Sequence, residues 1–212
     1  MNNNLQNLSG VIDKFVLQSR LKNYRNLNDK VSRLLSAGEL KQLKRGLYIT
    51  KESIEKGEYS EYQLANIMYG PSYVSLFSAL SYYGIIPERV VDIESVVTLK
   101  SKKLRVDNLT YLYKKLPAKT FHLGIEQISY GKISYLMATP TKALIDVLWT
   151  EKLLGIYGVK TLSAYLQENL RIDEEYIANL DSELISKCMI YGRRKKKLSL
   201  LLSLVEQLKG EL

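Results

Sequence analysis

The chain has 212 residues, of which 46% are hydrophobic and 25% are charged, and its formal net charge is +9. This length allows one large domain or two small ones, and the composition excludes a collagen, a mucin-like stalk and a mostly disordered chain. The single cysteine and the single histidine exclude an intramolecular disulfide, a cysteine-rich zinc site and a metal site of the HExxH kind.

The first predicted element is a helix near residues 8–18. Val11, Phe15 and Val16 keep helical spacing, with Leu8 one turn earlier. The polar segment Ser19–Arg25 is turn-like and could hold a short second helix.

The next predicted element is an amphipathic helix over 26–35. Its apolar residues fall on one helical stripe, namely Leu27, Val31, Leu34 and Leu35. Either Asn26 or Asn28 can cap its first turn, and Gly38 can end it in a left-handed turn.

Two short extended runs follow, Leu40–Lys44 and Leu47–Ile49, joined at Arg45-Gly46. They predict a β-hairpin with a basic tip. Three helices followed by a basic hairpin are the order of a winged helix-turn-helix, in which the third helix enters the major groove of DNA. The alternative that stays open is an amphipathic helix and a hairpin with solvated charges.

The remainder predicts a larger α+β domain with a helical carboxy-terminal tail. We place the boundary in the polar stretch Lys51–Ser60, which gives a domain over 1–58 and a second over 59–212. The predicted helices cover Glu61–Tyr69, Ser72–Tyr83, Pro140–Trp149, Val159–Glu168 and Lys195–Lys209. Glu174–Met189 is expected to form one helix or two, with Asp181 capping the second. The predicted strands cover Val90–Leu99, Leu109–Tyr113, Phe121–Ile128 and Ile133–Met137.

The positive charge is concentrated in the amino-terminal segment. Residues 1–50 hold nine basic and three acidic residues, a net +6, and a second concentration is the run 193–197. The middle of the chain is close to balanced as a whole. A basic segment of this kind favours a polyanionic partner such as nucleic acid.

Three segments resemble a known family. Leu40–Tyr48 resembles an L-x-x-L-x-R-G-x-Y wing, Gly70–Glu88 resembles a Y-[IV]-S-x-x-S-A-L-x-x-x-G-[IL]-I-P helix, and Ala138–Asp146 resembles an A-x-P-x-K-A-L-x-D signature. These motifs, in this order, are similar to those of AbiEi-like antitoxins, transcriptional regulators of AbiE-type (type IV) bacterial toxin–antitoxin and phage abortive-infection operons. The resemblance covers about residues 8–160.

The resemblance implies a two-domain antitoxin, and we predict on other grounds, given below, that it is cytoplasmic and not an enzyme. Its winged helix would bind inverted repeats in double-stranded DNA at its own promoter and act as a repressor. Its carboxy-terminal domain would counteract a nucleotidyltransferase-like toxin encoded by the neighbouring gene. The alternatives are a transcriptional regulator without antitoxin activity and a protein-interaction module that binds an acidic partner.

The candidate DNA-binding residues are basic or amide side chains of the predicted winged helix and of the late basic run. They are Lys22, Arg25, Asn28, Lys30, Arg33, Lys41, Lys44, Arg45, Arg193 and Arg194. Asn28, Lys30 and Arg33 are expected to face the groove, where asparagine and arginine can pair with purine edges. Lys44 and Arg45 are expected to contact phosphates. The run 193–197 is either a second DNA contact or the solvated start of the last helix.

Three features have structural interpretations. The 16 tyrosines could stack on bases, but half-buried core positions are favoured. Lys142 and Asp146 stand at i, i+4, which predicts an intrahelical ion pair. His122 and Cys188 are interpreted as structural.

An enzyme is the main rival class. Asp92 and Glu94 precede Thr98-Leu99-Lys100, which is a weak version of a nuclease D…(D/E)xK pattern. Thr98 stands where the second acid is needed. We therefore predict no catalytic residue, no metal site and no cofactor.

The sequence also predicts a cytoplasmic protein without a membrane partner. The segment Met1–Leu5 lacks the basic and apolar regions of a signal peptide. The apolar stretch Leu198–Val205 is much shorter than the roughly 20 residues that a membrane span needs.

Overall fold

The computed structural model describes residues 10–192 and 194–211, and it has a mixed α+β architecture with two sheets. The chain divides into two compact units. The first comprises the chain up to Met68 together with Ser129–Tyr135, and the second comprises Tyr69–Ile128 and the chain from Leu136 onward. The domain boundary predicted after residue 58 stays a prediction.

The part of the first unit up to Met68 contains three strands and four helices among its described residues. In order they are β1 (Val11–Asp13), α1 (Lys14–Arg20), α2 (Leu27–Ser36), β2 (Leu40–Lys44), β3 (Leu47–Thr50), α3 (Lys51–Glu55) and α4 (Glu61–Met68). The strands form an antiparallel sheet in the order β1-β3-β2, so α1 and α2 are inserted between two strands that do not pair with each other.

The helix predicted over 8–18 is wrong at Val11–Asp13, where the chain is a strand. Val11 and Ile12 are β-branched, and they pair with Ile49 and Tyr48 of β3. The Asp13 side chain then caps α1 by accepting a hydrogen bond of 2.8 Å from the Val16 amide. Leu8 lies outside the described residues.

The amphipathic helix and the hairpin of the first unit are confirmed. Asn26 is the residue that caps α2, because its Oδ1 accepts from the Asp29 amide at 3.3 Å. Gly38 follows α2 with φ +68°, and Gly46 holds the hairpin turn with φ +85°. Glycine adopts both left-handed conformations without steric cost.

The second unit is built on a six-stranded sheet of order β6-β7-β5-β4-β9-β8. The strands are β4 (Ser72–Val74), β5 (Ile93–Val97), β6 (Lys102–Val106), β7 (Leu109–Lys115), β8 (Ile125–Tyr130) and β9 (Ile133–Ala138). Its helices are α5 (Leu76–Tyr82), α6 (Ala118–Phe121), α7 (Pro140–Thr150), α8 (Val159–Ala164), α9 (Glu174–Ala178), α10 (Ser182–Tyr191) and α11 (Lys195–Glu211), and a π-helical turn, Tyr165–Asn169, continues α8.

The helix predicted over Ser72–Tyr83 is wrong in its first turn. Ser72–Val74 is instead a fully buried strand, antiparallel to β5 and parallel to β9. Helix α5 begins only at Leu76. Tyr73 and Val74 favour an extended chain, and pairing on both sides decides the conformation.

Two predictions at the other strands need correction. The strand predicted over Phe121–Ile128 begins at Ile125, and the short helix α6 and an exposed turn containing His122 precede it. The sequence does not indicate strand β6, because this lysine-rich segment lacks an apolar alternation. The strands over 90–99, 109–113 and 133–137 are confirmed with somewhat different ends.

The predicted helical tail is confirmed. Thr139 caps α7 with Pro140 in its first turn, and Asp181 caps α10. Helix α11 buries Leu198, Leu201 and Val205. None of the helices in the described ranges is both long and apolar enough to cross a lipid bilayer.

Candidate nucleic-acid interface

Helix α2 is fixed in the first unit by its apolar side. Leu34 is fully buried, and Leu27, Val31 and Leu35 pack against the same core. The Asn26 side-chain nitrogen also donates to the Asp29 carboxylate at 2.7 Å, which holds the capping side chain in place. This packing leaves one polar side of α2 in solvent.

The exposed side of α2 carries two of the three predicted groove-facing residues. Asn28 and Arg33 are exposed, and Ser32 is exposed between them. Lys30 is only half-exposed, and its ammonium lies 4.9 Å from the centre of the Tyr24 ring. A cation over a ring is attracted to the π-face. The Lys30 side chain is therefore held against Tyr24, whereas those of Asn28 and Arg33 are open to solvent.

The short second helix that Ser19–Arg25 could hold is not formed, because Ser19 and Arg20 end α1 and residues 21–25 are a turn that buries Leu21 completely. Lys22 and Arg25 are exposed on this turn. Arg20, in the last turn of α1, is exposed as well, although the sequence did not single it out.

The two basic residues at the hairpin tip, Lys44 and Arg45, have different surroundings. Arg45 is exposed in the turn, whereas the Lys44 ammonium donates a hydrogen bond of 2.6 Å to the Met68 carbonyl at the end of α4. A cation at a helix carboxyl end is stabilised by the helix dipole. Lys41 is exposed on β2. Of the two tip cations, Arg45 is therefore the one whose side chain is turned to solvent.

The late basic run lies at the start of α11 in the second unit. Arg193 lies outside the described residues. The Arg194 guanidinium donates to the Glu151 carbonyl at 2.7 Å and lies 3.5 Å from the Leu148 carbonyl. It thus binds the free carbonyls at the end of α7, which is a structural role.

The arrangement in the first unit is suited to an anionic partner. Arg25, Arg33 and Arg45 are exposed and have no carboxylate partner in the ranges that the structure describes. Arginine presents a planar set of donors that matches a phosphate or a guanine edge. Exposed serines such as Ser32 add neutral donors for phosphate oxygens. Ser32 cannot be recognised from the sequence, because an exposed serine has no distinctive pattern.

The motif residues of the second unit form a buried polar cluster. Lys142 and Asp146 are fully buried and form an ion pair within α7. The Tyr73 hydroxyl donates to Asp146 at 2.9 Å, and the Ser75 hydroxyl donates to the same oxygen at 2.7 Å. The Lys142 ammonium also lies 2.7 Å from the Tyr73 oxygen. We refer to these four residues as the buried cluster.

Because all four residues of the buried cluster are inaccessible to solvent, we assign the cluster a structural role. Burial, followed by the nearby Asp146 carboxylate, raises the pKa of Tyr73 well above its ordinary value. The predicted ion pair between Lys142 and Asp146 is confirmed, but the sequence did not indicate its burial. The cluster joins α7 to the central strand β4 and stands away from solvent.

The nuclease-like residues have other partners. One Glu94 oxygen accepts from the Phe77 amide at 3.0 Å, and the other lies 2.9 Å from the Lys114 ammonium. Lys114 in turn lies 2.6 Å from Glu151. Glu94 thus caps helix α5, since the Ser75 side chain, at the capping position, is bonded to Asp146.

No protein-family model matches this chain, and no curated protein is similar to it in sequence.

Proposed function

We propose that this protein is a DNA-binding transcriptional regulator whose first unit is a winged helix-turn-helix. The observation that supports the proposal is the exposure of Asn28, Arg33 and Arg45 on a helix and an adjoining hairpin of one small unit. In a winged helix-turn-helix, such a helix reads the major groove while the hairpin contacts the backbone.

The surrounding fold supports the same proposal. Helices α1 and α2 are joined by the short turn at 21–26, and the hairpin β2–β3 follows directly. Strand β1 pairs with β3, so the hairpin is tied to the segment that leads into the helices. The hairpin is thereby kept close to helices α1 and α2, and recognition of a DNA half-site requires such an arrangement.

We further propose the antitoxin role that the three motifs imply. Its support is the resemblance of Leu40–Tyr48, Gly70–Glu88 and Ala138–Asp146 to AbiEi-like antitoxins. Two of these motifs contribute all four residues of the buried cluster. The proposed target is a nucleotidyltransferase-like toxin encoded next to this protein.

DNA binding is tested by gel shift and footprinting on the DNA upstream of its own gene. Arg33→Ala and Arg45→Ala should each weaken binding, and Arg33→Ala should also relax base preference, at about 1–3 kcal/mol for a bidentate contact. Arg89→Ala is the control, because Arg89 is exposed in the second unit. Unchanged affinity in both test variants would refute the winged-helix proposal.

The antitoxin role is tested separately by co-expression. The product of the neighbouring gene should arrest growth on its own, and this chain should restore growth. Absence of rescue with intact DNA binding would leave a regulator without antitoxin activity.

A further inference from the structure

The second unit contains a small cavity between helices α5, α7 and α9. Its volume is about 160 Å³. The buried part of its lining is mostly aliphatic, namely Leu80, Ile85, Leu144, Ile172, Ile177 and Leu180. Protein interiors are closely packed, and voids larger than a water molecule are rare in them. A space of this size therefore indicates a site for a ligand.

The cavity reaches solvent beside helix α9. Its lining includes two exposed residues, Tyr176 of α9 and Asn179 directly after that helix. Tyr176 is 45% exposed, so its ring is shared between the cavity and solvent. A small molecule can therefore enter past these two side chains while the helices stay folded.

One buried polar side chain, Thr141 of α7, also lines the cavity. It is only 6% exposed, and its hydroxyl oxygen accepts a hydrogen bond of 3.0 Å from the Asp181 amide. Within residues 10–192 and 194–211, the hydroxyl proton itself has no acceptor. Buried donors without an acceptor are uncommon, because they lose their hydrogen bonds to water. An acceptor atom on a ligand would restore the missing hydrogen bond.

Water alone does not suit this space. A buried water makes about three hydrogen bonds, and Thr141 is the only polar side chain among the buried residues of the lining. An aliphatic cavity of about 150 Å³ in a protein stays dry and binds benzene. The present cavity has a similar size and a similar lining, and it differs by one hydroxyl group. These properties favour a ligand that is mainly apolar.

Contacts outside the cavity hold two of its walls in place. On the α7 side, Pro140 lies in the first turn of the helix, which the Thr139 hydroxyl caps. On the other side, Ile172 follows Arg171, whose backbone is left-handed with φ +52° and whose Nε donates to Glu88 at 2.9 Å. A non-glycine residue keeps this conformation only where its surroundings impose it. The site is therefore preformed, which lowers the entropic cost of binding.

We propose that this cavity binds a small neutral molecule of about the size of a single substituted aromatic ring, with one oxygen that accepts a hydrogen bond. The aliphatic side chains bury the ring, and the Thr141 hydroxyl donates to the oxygen. The volume excludes larger ligands, and the aliphatic lining excludes charged ones. The site lies within the second unit and does not depend on the proposed DNA binding.

The experiment measures binding of phenol and of toluene to the full chain by isothermal titration calorimetry. The two probes are nearly equal in size, and only phenol has an oxygen. Thr141→Val removes the hydroxyl, and Thr141→Ser is the control that keeps one. Leu144→Phe fills the cavity from its wall, and Leu144→Met, which conserves the side-chain volume, is the control. Circular dichroism verifies that each variant is folded.

Phenol should bind the unsubstituted protein at one molecule per chain, with a dissociation constant of about 1 mM or lower. Thr141→Val should weaken phenol binding about five- to tenfold, as for one lost hydrogen bond, and change toluene binding less than about twofold. Leu144→Phe should weaken the binding of both probes at least about tenfold, because the space for the ring is gone. The two controls should bind both probes like the unsubstituted protein.

Three results would overturn the proposal. The first is the absence of saturable phenol binding to the unsubstituted protein. The second is an equal effect of Thr141→Val on both probes, which would mean that the hydroxyl does not contact the ligand. The third is unchanged binding to folded Leu144→Phe, which would place the bound probe elsewhere. If Leu144→Phe does not fold, Ile177→Phe fills the cavity from α9 and decides the same point.

Discussion

The hydroxyl of Tyr73 donates a hydrogen bond of 2.9 Å to the carboxylate of Asp146, which lies 73 residues further along the chain. Both residues belong to segments that resemble family motifs, and both are completely buried. A charged group in such a position needs every available partner, because the interior solvates it poorly. The stability of the second unit therefore depends on the Asp146 carboxylate.

The first prediction concerns that carboxylate. Asp146→Ala leaves the buried Lys142 ammonium without a counterion, so we expect a loss of about 3–5 kcal/mol in the free energy of unfolding. Urea denaturation measures it. Glu55→Ala is the control, since Glu55 pairs with Lys51 on the surface and should cost less than about 0.5 kcal/mol.

A double variant tests the reason for that loss. Lys142→Met/Asp146→Asn removes both charges while an amide oxygen remains to accept from Tyr73 and Ser75. It should be more stable than Asp146→Ala. Measured with the single variants Lys142→Met and Asp146→Asn, it should give a coupling energy of at least about 1 kcal/mol between the two positions. Additive effects would show that packing, and not the ion pair, determines the cost.

The second prediction assigns a structural role to Lys44 and a DNA-binding role to Arg45. Lys44 bonds the Met68 carbonyl, so Lys44→Met should lower the free energy of unfolding by about 1 kcal/mol. Arg45→Ala should leave stability unchanged and lower the salt slope of DNA binding by about 1, as for one phosphate contact. Thermal unfolding and salt-dependent binding of both variants check this, and a reversal of the two effects would contradict the assignment.

The third prediction concerns the only thiol. Cys188 is buried in α10, and burial raises its pKa to about 11. Its reaction with a disulfide reagent at pH 8 should therefore be at least about a hundredfold slower in the native protein than in urea. Rapid reaction under native conditions would mean that α10 opens locally.

The fourth prediction concerns pH. Burial lowers the pKa of Lys114, but hydrogen bonds and charge interactions with Glu151 and Glu94 outweigh burial and raise it above its ordinary value. A raised pKa stabilises the fold fully below the unfolded pKa, and this contribution is lost as pH rises through the folded pKa. The stability difference between the unsubstituted protein and Lys114→Met should therefore shrink above about pH 10.5. Lys119→Met, at an exposed position, should show little difference at any pH.

Local signals explain which elements the sequence predicts well. Helix α7 begins where Thr139 and Pro140 indicate, and α2 is bounded by Asn26 and Gly38, because caps and turns depend on neighbouring residues only. Strands Val11–Asp13 and Ser72–Val74 escape prediction, because their conformations are decided by remote partners such as Ile49 and Met137.

In the candidate site, too, local sequence signals predict some features, whereas contacts between distant residues determine others. The exposure of Asn28 and Arg33 follows from the apolar stripe of α2, which any helical projection of the sequence reveals. The Lys44–Met68 contact spans 24 residues and has no local signature. The spacing of Lys142 and Asp146 fits a surface ion pair as well as a buried one, so burial emerges only when β4 and α7 are brought together.

The position of the short strand β4 in the sheet has a consequence for the chain while it is being synthesised. It lies between β5 and β9, and its partner Met137 is made 63 residues after Val74. Until that segment leaves the ribosome, one side of β4 is an open sheet edge without a partner strand. Such edges pair readily with other chains, so the nascent protein is most exposed to aggregation while residues between α5 and β9 are being translated.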